Sequence, residues 1–387
     1  MQIHTVTAGE NLYNIARKYS IPATKILWDN DLSTDRLTPG DQLLILLPTR
    51  TVTTHATDTI EELSKRFGVR VNDILRENPS LVGRNRLKPG QILTIKQEAN
   101  QIGVGSAFSI IPKGSRRENI TRTLPYSTYA AIDGAIISDN GVSLTYDISK
   151  NLECITQEKK VTLLLVKDKT CARFLDNKEV YEKRIEEAIS LAKKMNFMGV
   201  LISAKDAGEK RPNEFCEFLL LFRKKLIGCD MILCTEFFEN THYDASELSD
   251  AAILNVGTKE IDKMTATLEK FASNAESSKV FVNIISDCEM GSGKVSANEI
   301  KELCYRSGKQ LTTDEKSLIS EFDFIRYKTG LGEKIRLYFP SLLHTKKTYE
   351  SLCENGFLGI AFDTDTVMIQ TLLMFNSLFA RADYSLP

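Results

Sequence analysis

The sequence predicts an α/β protein. A (β/α)8 barrel of about 285 residues, carrying a small α+β insertion, is preceded by two βααβ modules. Two observations predict this. Residues 3–47 and 51–95 are one unit written twice, and such self-similarity has to be found before any other element is assigned. Beyond them, short apolar runs alternate with amphipathic helical stretches, the pattern of a parallel sheet wound with helices. The expected division is 1–48, 50–97 and 98–387.

The duplication is read residue by residue. Ile15, Tyr19, Ile21, Ile26, Leu27 and Asn30 recur 48 positions later as Leu63, Phe67, Val69, Ile74, Leu75 and Asn78. After a two-residue insertion, Leu37, Pro39, Gly40 and Ile45 recur as Leu87, Pro89, Gly90 and Ile95. In the first copy Ile3–Val6 alternates as a strand and Asn11 stands as an N-cap. Leu12, Ile15, Ala16 and Tyr19 then recur at helical spacing. Pro22 suits the N1 position of a second helix. Leu37-Thr38-Pro39-Gly40 turns the chain into a strand over 42–46. The second copy repeats this with Thr59 at the cap and a closing strand over 92–95.

A βααβ unit with the opening TVTAGENLYNIARKYSI, a central Asn and the closing LTPGDQLLI resembles the LysM module, and both units match throughout. The resemblance implies binding of N-acetylglucosamine glycans, chiefly peptidoglycan and chitin. It places the groove between the loop before helix 1 and the loop after helix 2. In the first copy these are Gly9, Glu10, Asn11 and Leu12 with Asn30, Asp31 and Leu32. In the second they are Thr57, Asp58, Thr59 and Ile60 with Asn78, Pro79 and Ser80. A shallow polar groove suits N-acetyl sugars, which need amide hydrogen bonds and an apolar patch for the methyl group. The same Asn, Gly and Pro residues also make ordinary turns. Thr57 in place of Gly9 makes a stiffer loop and weaker binding the expectation for the second copy. Trp28, the one tryptophan of the chain, aligns with Arg76. This suggests an exposed helix face, on which Trp28 either stacks on a sugar or packs beside the second copy.

Barrel strands are expected near 102–109, 127–132, 161–166, 198–203, 230–235, 251–256, 279–285 and 357–362. Amphipathic helices are clearest over 181–196 and 213–225. Before the last strand an insertion is expected, with a hairpin from Asp323–Tyr327, Thr329-Gly330 and Lys334–Phe339.

Three runs carry a second resemblance: IGVGSAFSIIPKGSRRENITRTLPYSTYAAI, AKKMNFMGVLISAKD and LCENGFLGIAFD. With the preceding modules they resemble the family-18 glycoside hydrolases of the spore-cortex-lytic and germination type. That family carries DxxDxDxE at the end of the fourth strand. Its Glu is the general acid, and the neighbouring Asp supports the substrate's own N-acetyl group as nucleophile. Aligned on Gly199-Val200, the last Asp falls at Ser203 and the Glu at Lys205. A lysine ammonium, with an ordinary pKa near ~10, is a poor acid at neutral pH and repels a developing oxocarbenium ion. The family's aromatic at the end of the last strand is replaced by Phe362-Asp363. The resemblance therefore implies a catalytically degenerate barrel that holds glycan without cutting it. Relocated carboxylates remain an alternative, because barrel sites lie at strand C-termini. Glu236 is the candidate acid, and Asp206 or Asp363 its partner. Asp287 and Asp365 lie at the same end. A barrel serving as a protein scaffold in a spore coat is the third reading.

Bulk properties narrow the partners. The net charge is −1, with 50 basic and 51 acidic residues, so nucleic acid is not expected. No apolar run reaches the ~20 residues of a membrane span, and no secretory signal is visible at the start. Synthesis in the cytoplasm and association with spore coat, cortex or wall is the expectation. The eight cysteines lack zinc spacing and read as reduced core residues, with a disulfide framework the alternative. The four histidines are scattered, and Gly291-Ser292-Gly293-Lys294 lacks phosphate-loop spacing. No metal and no cofactor is expected.

Overall fold

The computed structural model describes the chain except residues 33, 83–86, 99, 157–159, 240, 242–244, 258, 286–287, 291–292, 296, 329–330 and 382–387. For 245, 288–290, 293–295, 297–298, 301, 322–328 and 331–335 it describes the backbone only. Asp287, His242, Gly291, Ser292, Thr329 and Gly330 thus lie outside the described residues.

Each module is a two-stranded antiparallel sheet against two helices. In the first, Gln2–Thr5 pairs with Gln42–Ile45, and helices Leu12–Tyr19 and Ala23–Asp29 lie between them. Asn11 caps the first helix by accepting from the Asn14 N–H at 2.9 Å. Pro22 sits one residue earlier than expected, as the N-cap of the second helix. In the second module Pro48–Thr53 pairs with Ile92–Gln97 around helices Ile60–Phe67 and Val71–Glu77. Thr59 and Glu62 form a reciprocal capping box there, satisfying two helix-end donors at once.

The barrel closes with eight parallel strands: Gly103–Ile111, Tyr129–Ser138, Val161–Asp168, Gly199–Ser203, Ile232–Phe238, Ala251–Gly257, Val280–Ile285 and Gly359–Asp363. Each pairs with the next, and the last returns to the first. Phe108, Tyr129, Leu163, Leu201, Cys234, Ile253, Phe281 and Ala361, one from each strand, pack inside. Phe108 stacks on Tyr129 at 5.6 Å, and Phe281 meets both edge-on at 5.4 Å. Helices Lys178–Lys194 and Pro212–Ile227 cover the outside, with Ile185, Phe215, Phe218 and Phe222 fully buried beneath them.

The insertion before the last strand is larger than the sequence suggested. Its hairpin runs over Ile319–Lys328 and Leu331–Pro340, and a helix, Ala297–Ser307, precedes it. Ile300 and Cys304 of that helix pack with Leu311, Leu337, Phe339 and Met368.

The first module is built into the barrel. Its strand Gln42–Ile45 is buried on both faces. Leu43 and Ile45 enter the module's own core. Leu44 and Leu46 pack with Leu342, Tyr349, Phe375 and Phe379 of the barrel. The equivalent strand of the second module carries Thr94 and Lys96 at the matching positions, and there Lys96 is exposed. The Pro39-Gly40 turn is a joint as well. Leu311 N–H donates to Pro39 O at 3.0 Å, and a Cβ on Gly40 would lie 1.9 Å from Leu311 O.

The two modules and the barrel meet at a buried polar junction. Lys25 pairs with Asp29 at 2.8 Å, Tyr126 Oη–H donates to Arg76 O at 2.8 Å, and Asn376 Nδ2 donates to Glu77 Oε1 at 3.1 Å. Glu77 Oε2 is enclosed without a hydrogen-bond partner. Burial, aided by the nearby Asp29, raises the Glu77 carboxyl from 4.5 to about 7. Because the folded value is the higher one, the penalty is absent below pH ~4.5, grows as pH rises through the interval and is complete above ~7. Glu77→Gln keeps the oxygen that Asn376 uses and removes the charge. It is expected to stabilise the protein by up to about 3 kcal/mol at pH 8 and by little at pH 4.5. Urea midpoints at the two pH values measure the difference.

Candidate functional site

The barrel mouth follows from strand alternation. Side chains two residues apart share a face, so the interior layer continues upward to the next inward position on each strand. That layer reads Ile110, Asp133, Lys167, Ser203, Glu236, Asn255, Asn283 and Asp363. A ring of apolar residues thus gives way to a polar floor with three carboxylates and one ammonium. Asp133, Lys167, Asn255 and Asn283 were not among the residues expected from sequence. The signal was available: the period of two runs on past the last apolar residue of each strand.

Glu236 stands in this layer on the fifth strand, Ile232–Phe238. Its carboxyl bonds to Ser203, and Lys167 Nζ holds Asp133 Oδ2 at 2.7 Å. Burial pushes the Glu236 carboxyl upward, Ser203 and Lys167 oppose that, and Asp133 adds to it. A carboxyl raised by burial is the state a general acid needs. Lys205 begins the short helix after the fourth strand. Its ammonium lies 5.0 Å from the Phe238 ring centre and 3.8 Å from Glu209, with most of the side chain in solvent. Asp206, the expected partner of Glu236, is engaged elsewhere in this structure. It pairs with Lys210 at 2.9 Å, and that bond holds its carboxyl below the ordinary range. Asp363 is in the mouth and accepts from the Asp365 N–H at 2.7 Å. Asp365 itself is taken up by Ser115 and Asn119, each at 2.9 Å. A cavity of about 260 Å³ opens beside Asp363, between the last two strands and His344, Tyr349 and Met368.

The expected module grooves divide sharply. Asn30 is buried. Its Nδ2 donates to Ile26 O and Leu44 O, both at 2.9 Å, and its Oδ1 accepts from Leu44 N–H at 2.6 Å. Asn78 repeats the arrangement with Ile74 O, Thr94 O and Thr94 N–H. The two amides pin the second helix to the closing strand, and both amide donors are spent on backbone carbonyls. Leu12 is core. Asp58 is buried, accepting from His55 N–H at 2.8 Å and Arg66 at 2.7 Å. Pro79 is buried, and Ser80 has its hydroxyl enclosed without a partner.

Trp28 is half-buried rather than on an open face. It lines a small crevice against Pro48, Asn78 and Pro79 of the second copy, and its counterpart Arg76 is buried at the junction. Of the two readings for Trp28, packing beside the second copy fits this placement, and the expected open face is covered there.

What remains accessible lies around the first loop. Glu10 Oε2 accepts from Thr7 N–H at 2.7 Å and contacts His4 at 3.1 Å. These bonds, the Thr7 amide foremost, hold its carboxyl near 2. Glu10 and Asn11 line a cleft with Arg36–Pro39. Asp31 and Leu32 line a second cleft on the other side of Arg36–Thr38, and Asp31 pairs with Arg122 of the barrel at 2.8 Å. Gly9 has φ +88, in the left-handed region that favours glycine. Thr57 does not adopt a positive φ, so the two loops take different paths. Thr57 and Thr59 are exposed, and Ile60 is half-buried.

The LysM domain family matches residues 4–46 and 56–96, so the chain carries two LysM modules. Over 236 residues it is 25% identical to "Putative sporulation-specific glycosylase YdhD" of Bacillus subtilis (strain 168). That match covers 58% of this chain and 56% of the relative, little more than half the length of either. The spore cortex-lytic enzyme SleL of Bacillus megaterium superposes with a TM-score of 0.72 at 18% identity, over 99% of both chains. A chitinase from Chromobacterium violaceum superposes with a TM-score of 0.60 at 12% identity, over 70% of this chain and 98% of its own. The eight-stranded barrel therefore has the fold of chitinase-like enzymes, with LysM modules at its N-terminal side.

Proposed function

We propose that the protein binds peptidoglycan or another N-acetylglucosamine glycan of a spore or cell wall, through its LysM modules, and that its barrel does not cut sugar by the family-18 route. The observation that carries this reading is Lys205. Where the related signature has its proton donor, this chain has an ammonium lying over Phe238, and Ser203 stands at the supporting Asp. Without a carboxylic acid at that point, neither protonation of the leaving oxygen nor support of the N-acetyl nucleophile follows. The purified chain is expected to sediment with insoluble peptidoglycan and to release no reducing ends from spore cortex or wall glycan. Failure to sediment with any N-acetyl glycan would overturn the binding reading.

One observation favours a second reading. Glu236, one strand away, has the raised carboxyl of a general acid and lies in the same layer as Asp133. On this reading the acid has moved from the fourth strand to the fifth. Cleavage would then be seen, would fall as pH rises through the raised Glu236 value, and would be lost at least ~100-fold in Glu236→Gln. Reducing-end release at pH 5 and pH 8 by wild type and variant separates the two.

A further inference from the structure

The first LysM module does not present its groove alone. The two clefts that flank Arg36–Thr38 share one side chain from the far end of the sequence, Tyr305. It stands on the inserted helix Ala297–Ser307, one residue after the buried anchor Cys304. A step of one residue turns a helix by ~100°, so anchoring Cys304 in the apolar cluster directs its neighbour elsewhere. Tyr305 is half-buried and faces the loops that the LysM resemblance marks as the groove.

This wall is fixed in place. The Leu311 to Pro39 backbone bond and the close approach at Gly40 hold the segment just after the inserted helix against the closing turn of the module. The larger cleft has a volume of about 820 Å³, within the ~300–1,000 Å³ of ordinary ligand sites. Its chemistry is that of sugar recognition. A tyrosine ring supplies a flat apolar face for the axial C–H bonds of a pyranose and a hydroxyl at its edge. Around it stand Arg36, Arg306 and Glu10, side chains that exchange hydrogen bonds with ring hydroxyls and acetamido groups. Among the described residues, a Cβ on the equivalent Gly90 of the second module would meet nothing within 4 Å.

We propose that Tyr305 is a sugar-stacking residue of the first module's site, so that an N-acetylglucosamine oligomer is gripped between the LysM module and the barrel insertion. This rests on the reading that the first module binds such glycans. Calorimetric titration of the full chain with the N-acetylglucosamine pentamer tests it. Tyr305→Ala is expected to weaken the tighter binding about tenfold, and Tyr305→Phe to stay within about twofold of wild type. Any binding by the second module persists in all variants. Should Tyr305→Ala lower the unfolding midpoint, Tyr305→Leu keeps the bulk, removes the aromatic face and is expected to give the same loss. If wild type binds and both variants bind equally well, Tyr305 is not part of the site, while the LysM reading stands. If wild type binds no pentamer, both readings fall together.

Discussion

Asn30→Ala is expected to cost the protein about 3 kcal/mol, and Asn78→Ala about as much, without removing a sugar contact. Each amide makes three buried hydrogen bonds, at 2.6–2.9 Å around Asn30 and 2.7–2.8 Å around Asn78. A net ~1 kcal/mol per bond is the ordinary worth, and buried groups left unpaired add to it. Alanine strands the Leu44 N–H and the Leu44 carbonyl in the first copy, while Ile26 O keeps the backbone N–H of residue 30. Aspartate is no rescue, because it keeps the acceptor but sets a carboxylate against the carbonyls of Ile26 and Leu44. Urea denaturation reads the cost. Glycan affinity measured well below the transition is expected to stay within about twofold of wild type. A large affinity loss at unchanged stability would return the two asparagines to the binding groove.

Gly40→Ala is expected to be far more damaging than Gly90→Ala, although both close the same Pro-Gly turn. Both glycines have positive φ, +86 and +77, so alanine costs each about 1–2 kcal/mol in backbone strain. There the likeness ends. A Cβ at position 90 enters open space, whereas one at position 40 would lie 1.9 Å from Leu311 O. No flexible side chain can move aside, because the obstacle is backbone. The joint between module and insertion has to open, taking the Leu311 to Pro39 bond with it. A total above about 3 kcal/mol is expected for Gly40→Ala. Thermal unfolding of the two variants side by side measures it, and equal shifts would show that the joint carries no weight.

The eight barrel strands were legible because buried parallel strands are near-continuous apolar runs, as in Val161-Thr162-Leu163-Leu164-Leu165-Val166. The expected strands ending at 132, 166, 235 and 362 stopped one residue short of the polar layer at the mouth, whereas those over 198–203, 251–256 and 279–285 already held Ser203, Asn255 and Asn283. Glu236 was named because it follows its run directly. Asp133 and Lys167 follow their runs as directly, after Ile132 and Val166, and only the inward register of the closed barrel marks them. The modules were legible as a repeat, and their helix caps Asn11 and Thr59 stand as expected. A repeat reports what two copies share and not what surrounds them. Asn30 and Asn78 recur whether they hold a sugar or the fold, and only the partner atoms decide. The docking of the first copy was written in Leu44 and Leu46, which break the in-out alternation that Thr94 and Lys96 preserve. Tyr305 had no local signal at all, since its meaning depends on a contact across more than 260 residues of chain.

Leu44 and Leu46 leave the first module no swing. A polymer lying across that module would be presented to the mouth at one spacing and one angle, set by packing and not by the slack of a linker. Reach is given up for registration: the stiffness of the glycan itself, counted in sugar units from the grip, would decide which residue arrives over Glu236.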